Sequence, residues 1–427
     1  MTRSDDRASA TPGETHPASW TATPAKANPV LRAAWASYYK ALDEMRAYIE
    51  NTSMFENPQD RAKAYHSLME MQALAYNYVI APRMTNPRIL VNTSLQRDVF
   101  TLGLNGPDCL YGDLFLDGTQ TYRMRGRIGE ISFFSIYVQN KIWGDEGAKP
   151  LGNFNLSDMT VAKDGTFEIV IGGPKRTGNW IPLDLTSKYN MLIIRRTLPD
   201  WGNSDKGDLT VERITSIEPG HYDRDEFDEV AMAARIRRAE AFIRYIPEKW
   251  IVGLYDAFIG PKGEVNTVRL LPGTVTDPAA EATSNYVMGV FSLKDDEALI
   301  LELDKVPDGA YWGFQLGDVW DRALPYYDLQ TSLNHTQVVF DADGGLRVVI
   351  AKKDPGVANW LDTAGRNKGE IVFRSYGSRV PSLPRVRKVK LSQVLSSLPP
   401  GTKLVSAGER QRALEHRRQA VLKLYGE

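Results

Sequence analysis

Leu110-Tyr-Gly-Asp-Leu-Phe-Leu116, Asp117-Gly-Thr-Gln120 and Thr121-Tyr-Arg-Met-Arg-Gly-Arg127 follow one another without a gap. The first run is largely apolar and the second is a turn sequence. In the third, Tyr122, Met124 and Gly126 alternate with Arg123, Arg125 and Arg127. A period of two marks an extended strand with one wet face. Asp-Gly between two such runs is turn chemistry.

The same period extends from residue 108 to 217. It predicts strands over Leu110–Leu116, Thr121–Arg127, Ile131–Gln139, Thr166–Ile171, Met191–Arg196 and Thr210–Ile217. Ile128-Gly129, Asp164-Gly165 and Gly172-Gly173-Pro174 separate them. A second β-run predicts Tyr286–Leu293, Ala298–Leu303, Tyr311–Leu316, Thr336–Asp341, Leu346–Ile350 and Glu370–Ser375. There Asp343-Gly344-Gly345 reads as a hairpin turn between Val338-Val339-Phe340 and Val348-Val349-Ile350. Short strands at roughly even spacing predict a sandwich or barrel.

Helical periods bracket these runs. Leu31, Trp35, Tyr38, Leu42, Met45 and Ile49 line one face of Val30–Glu50, which Pro29 introduces. Pro58–Ile80 completes an N-terminal helical hairpin. A third helix, Asp225–Phe258, is capped by Asp223 and kinked or split at Pro247. The fold class is therefore mainly β with helical flanks (α+β), with a helical insert between two β-runs. The expected segments are a disordered lead (1–29), a helical hairpin region (30–99), the first β-run (100–220), a helical connector (221–260), the second β-run (261–377) and a Pro-rich, then basic helical tail (378–427). No internal repeat is evident residue by residue, so one sandwich or two similar halves both stay open.

With 52 basic and 53 acidic residues the net charge is −1, which argues against a nucleic-acid partner. Local basic excess at Arg385–Lys390 and Arg410–Lys423 reads as a solvated tail helix. The single cysteine, Cys109, excludes an internal disulfide and fits a reducing compartment. No run is long and apolar enough for a signal peptide or a membrane span, so a cytoplasmic address and no membrane partner are expected. The chain has no Walker motif and no Gly-x-Ser-x-Gly. His16, His66, His221, His335 and His416 are scattered without a His-x-His pair, so neither a metal nor a cofactor is expected.

Three polar–aromatic clusters remain. Asn105-Gly-Pro-Asp108-Cys-Leu-Tyr111 can place a carboxylate and a phenol at a sheet rim. Trp312-Gly-Phe-Gln315-Leu-Gly-Asp318-Val-Trp320, continuing to Tyr326-Tyr327, has the composition of a pocket for a sugar ring or flat apolar ligand. Asn334-His335, with Asp354-Pro-Gly-Val-Ala-Asn359-Trp360-Leu-Asp362, supplies a histidine in a polar, aromatic neighbourhood. The bland alternatives are turn capping by Asp108, a core strand around Trp312, and a satisfied strand-edge histidine.

The last two clusters resemble the bacterial family catalogued as domain of unknown function 1214, related to the paired domain of unknown function 1254/1214 proteins. The resemblance rests on Tyr311-Trp312, the Asn334–Asp341 run, the block Asp354–Gly365 and Arg374. Upstream, Pro107-Asp108 to Tyr111, Asp117-Gly-Thr and Tyr122–Gly126 match as well. It implies a jelly-roll-like antiparallel β-sandwich similar to that of peptide N-glycanases, and no established reaction. Relatives often carry a histidine and an arginine after the Gly365 position, where this chain has Arg366-Asn367-Lys368.

The functional expectation is a metal-independent hydrolase or lyase acting on a glycoside-like or polycyclic, partly apolar small molecule in bacterial catabolic or secondary metabolism. Asp108, Asp318 and His335 are its candidate catalytic residues. Tyr111, Trp312, Gln315, Trp320, Tyr327, Asn334, Trp360, Asp362 and Arg374 are its candidate binding residues. The alternative is a non-catalytic binding module for carbohydrate or another small ligand. A third reading is a homo-oligomer joined through helices 30–80 and 224–258.

Overall fold

Tyr122 and Met124 turn into an apolar interior, whereas Arg123 and Arg125 reach Glu168 and Glu212 on the strands either side. The same sorting builds the remaining strands. The computed structural model describes residues 28–84, 86–91, 101–202, 205–215, 227–271, 284–378 and 381–425.

In the first half the strands are β1 (Leu90–Val91), β2 (Cys109–Leu116), β3 (Thr121–Arg127), β4 (Phe133–Gln139), β5 (Pro150–Asn155), β6 (Thr166–Gly172), β7 (Trp180–Ile181), β8 (Asn190–Thr197) and β9 (Asp208–Arg213). They form a five-stranded sheet, β1-β2-β8-β4-β5, and a four-stranded one, β7-β6-β3-β9. In the second half they are β10 (Thr267–Leu271), β11 (Ser284–Ser292), β12 (Glu297–Leu303), β13 (Tyr311–Gly317), β14 (Ser332–Asn334), β15 (Leu346–Ala351), β16 (Trp360–Asp362), β17 (Lys368–Tyr376) and β18 (Arg385–Lys390). Their sheets are β10-β11-β17-β13-β14 and β16-β15-β12-β18. Matching β1 to β10, and so on to β9 and β18, makes the two orders identical. Even the parallel pairs correspond, β6 with β7 and β15 with β16. The chain therefore holds two sandwiches of one topology.

Leu114, Tyr122, Phe134, Ile169 and Leu192 fill the space between the sheets of the first half. Val287, Leu299, Phe314, Val348 and Phe373 do so in the second. The outer faces of the five-stranded sheets do not face water either. Phe115, Tyr137 and Ile193 from one, and Met288, Val290 and Val372 from the other, share a core with Tyr78, Phe242 and Phe258 of the helices. That double burial explains why β2 and β13 read as nearly continuous apolar runs.

The helices are α1 (Pro29–Glu50), α2 (Pro58–Ala75), α3 (Glu229–Tyr245), α4 (Gly253–Ile259) and α5 (Ala407–Tyr425). Asn28 and Asn57 cap α1 and α2 by accepting from the amides of Val30 and Asp60, with proline at the first position of each helix. Asp228 caps α3 by accepting from the Ala231 amide at 2.7 Å. The expected cap Asp223 lies outside the described residues, as does the lead before residue 28. At Pro247 the helix is not broken. It widens into a π-turn over Ile246–Val252, which accommodates the proline within continuous helix, and α4 follows. A matching π-turn, Tyr76–Ile80, ends α2.

Two expectations are corrected. Thr336–Asp341 is not a strand: the Asn334 side chain accepts from the Thr336 amide at 2.9 Å and turns the chain after β14. The Asp343-Gly344-Gly345 turn consequently leads into β15 with no paired strand before it. Arg385–Lys390 is not part of a tail helix either. It is β18, an edge strand on β12 whose bases meet Glu297, Glu302 and Asp304. The later basic segment is helical, yet its Arg410 and Arg417 are buried rather than solvated.

Candidate functional site

One face of α2, the 318–327 loop and the Ala364–Arg366 turn enclose a cavity of about 250 Å³. Its floor is a buried charge network. Arg322 donates to Glu70 at 2.8 Å and Arg366 to Asp60 at 2.9 Å. Asp318 lies 3.8 Å from Arg322 and 3.6 Å from Arg366. Glu70 also accepts from the amides of Thr101 and Leu102, so each arginine is held by a carboxylate that is itself fixed. Asp318 accepts from the Trp320 amide at 2.9 Å, which closes the loop tightly.

Lys63 and His66, three residues apart on α2, face this floor from the mouth. Burial, with the Arg322 charge behind it, lowers both their pKa values from the ordinary 10.5 and 6.5. Tyr326, Tyr327, Leu324 and Pro325 supply an aromatic and apolar wall. The cavity thus sets two bases, weakened as proton carriers, against two fixed guanidinium groups.

The expected residues divide among several places. Asp318 and Tyr327 line this cavity. Tyr111 and Arg374 line a smaller one between the two halves, with Gln315 behind, bonded to Arg374 at 2.8 Å. Asp108 lines neither. It is buried and accepts from Trp201 at 2.8 Å, Tyr311 at 2.6 Å and Asn334 at 2.5 Å. Burial pushes its carboxyl up, against the pull of those donors and Arg417. His335 sits nearby, its ring 5.9 Å from both Tyr311 and Trp312. The structure thus brings Asp108, Asn334 and His335 together and leaves Asp318 elsewhere.

The tryptophans are structural in position. Trp312 packs between the sheets of the second half. Trp320 is fully buried and donates to the Asp60 carbonyl at 2.8 Å. Trp360 donates to the Ala351 carbonyl at 2.9 Å and lies under the Arg410 guanidinium. Asp362 accepts from the Ala364 amide at 2.8 Å, shaping the turn that presents Arg366. Burial raises its pKa.

Sequence reasoning passed over Lys63, His66, Glu70, Arg322 and Arg366. The available signal was the polar pair Lys63 and His66 on a helix whose other face is apolar, together with Arg366 at the end of the most specific sequence block. Among the described residues, no group of three or more His, Cys, Asp or Glu is arranged to hold a metal ion.

The model of a protein family of unknown function, DUF1214, matches residues 112–199 and again 292–380. The first stretch takes in β3 through β8 and the second the corresponding strands β12 through β17. An uncharacterized protein of known structure from Burkholderia cenocepacia is 28% identical and superimposes with a TM-score of 0.76, covering 85% of this chain and 99% of its own. A Vibrio parahaemolyticus protein is 11% identical with a TM-score of 0.42, covering 84% of this chain and 99% of its own. No curated protein matches the sequence. The DUF1214 model thus matches this chain twice, once in each of two sandwiches of one topology, as in a paired DUF1214 protein.

Proposed function

We propose that this chain is a metal-independent hydrolase or lyase whose active site is the cavity beside α2. Its substrate would be a small, partly apolar, glycoside-like or polycyclic molecule of bacterial catabolic or secondary metabolism that carries an anionic group. The observation that carries this reading is the placement of Lys63 and His66 across from Arg322 and Arg366. Burial, with the Arg322 charge, lowers the His66 pKa and so favours the neutral imidazole that can accept a proton. Arg322 and Arg366 are held where they can bind an anion or meet charge that develops during reaction. Tyr326, Tyr327 and Leu324 would take the ring.

A cytoplasmic address is part of the proposal, because Cys109 is a free, buried thiol. The second reading, a non-catalytic binding protein, uses the same arginines and aromatic wall without the bases.

The test is a panel of aryl glycosides and polycyclic carboxylates followed by mass spectrometry. With a compound that is turned over, His66→Ala should reduce the rate by about 10²-fold or more while leaving the fold intact. A compound that binds but keeps its mass would favour the binding reading. Unchanged turnover in both His66→Ala and Lys63→Met would remove this cavity from consideration.

A further inference from the structure

The smaller cavity, about 90 Å³, lies between the two five-stranded sheets. Trp143 and Trp250, their rings 4.3 Å apart, form part of its wall, and Trp250 is carried by the π-turn around Pro247. Three of its polar side chains are nine-tenths or more buried: Asn105 and Asp321 at 2% exposure and Arg374 at 5%. Both polar atoms of Asn105, Oδ2 of Asp321 and Nε of Arg374 have no hydrogen-bond partner among the described residues. Leaving such a group unpaired in a dry interior is costly, so four around one cavity call for a guest that satisfies them.

The groups are held firmly. Arg374 donates to the Leu104 carbonyl and to Gln315, both at 2.8 Å, and Gln315 donates to the Asn105 carbonyl at 2.9 Å. Gly106 allows this closeness, since a Cβ there would stand 2.9 Å from the Arg374 guanidinium. Asp321 occupies a left-handed backbone conformation, φ 56°, with its carbonyl accepting from the amides of Gly103 and Leu104.

The wall also repeats across the duplication. Tyr111 stands opposite Arg195 in β2 and β8, and Tyr286 opposite Arg374 in β11 and β17. Under the strand matching these are the same two positions, so each half sends one tyrosine and one arginine to the cavity. Burial first, then neighbouring carboxylates (Asp318 for Asp321, Asp321 and Asp318 for Glu370), push both pKa values well above the ordinary carboxyl range. Two arginines, Arg195 and Arg374, thus line the cavity with one acidic side chain, Asp321.

We infer that this cavity binds a short-chain carboxylate bearing a hydroxyl or keto group. Its charge suits the two arginines. Its second polar group suits the Asn105 amide, which presents a donor and an acceptor together. It must be smaller than benzene, which an apolar cavity of about 150 Å³ holds.

The experiment is isothermal titration and thermal unfolding of the full chain with acetate, glycolate and lactate, against chloride at equal ionic strength. Glycolate or lactate should bind more tightly than acetate and raise the unfolding temperature. Asn105→Ala should weaken that binding by about tenfold or more, while Lys175→Ala on the exposed surface should leave it unchanged. Arg195→Lys, at a half-buried position, is a second variant that keeps the charge and loses the fork geometry; it too should weaken binding. No response to any of the three acids, or equal binding in both site variants and the parent, would mean that water alone occupies the cavity and would overturn the inference.

Discussion

Glu370 is fully buried with neither carboxyl oxygen bonded among the described residues, and burial outweighs every other influence on its proton. A carboxyl whose folded pKa is raised keeps its proton after the unfolded chain has lost it. Its contribution to stability is therefore fully present below about pH 4 and is lost as pH rises above the ordinary carboxyl value. Glu370→Gln preserves the shape of the protonated side chain and removes this loss. Its urea midpoint should equal the parent's near pH 4 and exceed it at pH 8. Cys109 shows the same physics in a thiol. Burial pushes it up to about 11, so it should resist iodoacetamide at pH 7 until denaturant is added. Sequence reasoning chose Asp108 and His335 because carboxylate, phenol and imidazole stood in polar–aromatic surroundings. It could not know that Tyr311, Asn334 and Trp201 would occupy the Asp108 oxygens. The groups that line cavities, Lys63, Arg195 and Arg322, carry no local pattern that separates them from surface charge.

At the level of elements, alternation was legible where one strand face is wet. Thr121–Arg127 was predicted to the residue. Short pieces such as β7, β14 and β16 were not, because two or three residues cannot express a period. Thr336–Asp341 failed for a different reason: its β-branched and aromatic composition favours a strand, and a single Asn334 side-chain bond overrides it. β18 was hidden by its charge, since Lys and Arg on an edge strand look like a solvated tail until acids appear on β12. Helix α3 was expected, but its boundary was placed early. Asp228, not Asp223, supplies the observed cap, and Asp228→Ala should lower stability by about 1 kcal/mol, read from a denaturant melt.

Across the whole molecule, the sandwich and its helical flanks followed from patterning, whereas the duplication did not. The two halves keep the same strand order because packing constrains oiliness and spacing more than identity. They are tied by Asp108, which belongs to the first half and is bonded to Tyr311 and Asn334 of the second. Asp108→Ala would strand three buried donors and should cost about 3 kcal/mol or more. Calorimetry of the parent should show one transition, because both large sheets share a single apolar layer with the helices. A separate first-half transition in the parent would contradict that coupling. The repeated tyrosine–arginine pair also has an evolutionary consequence. In an assembly of two identical subunits, any change to such a wall strikes both sides of the guest at once. Within one fused chain each wall mutates alone, so the pocket between the halves is free to evolve a lopsided specificity that a symmetric ancestor could not reach.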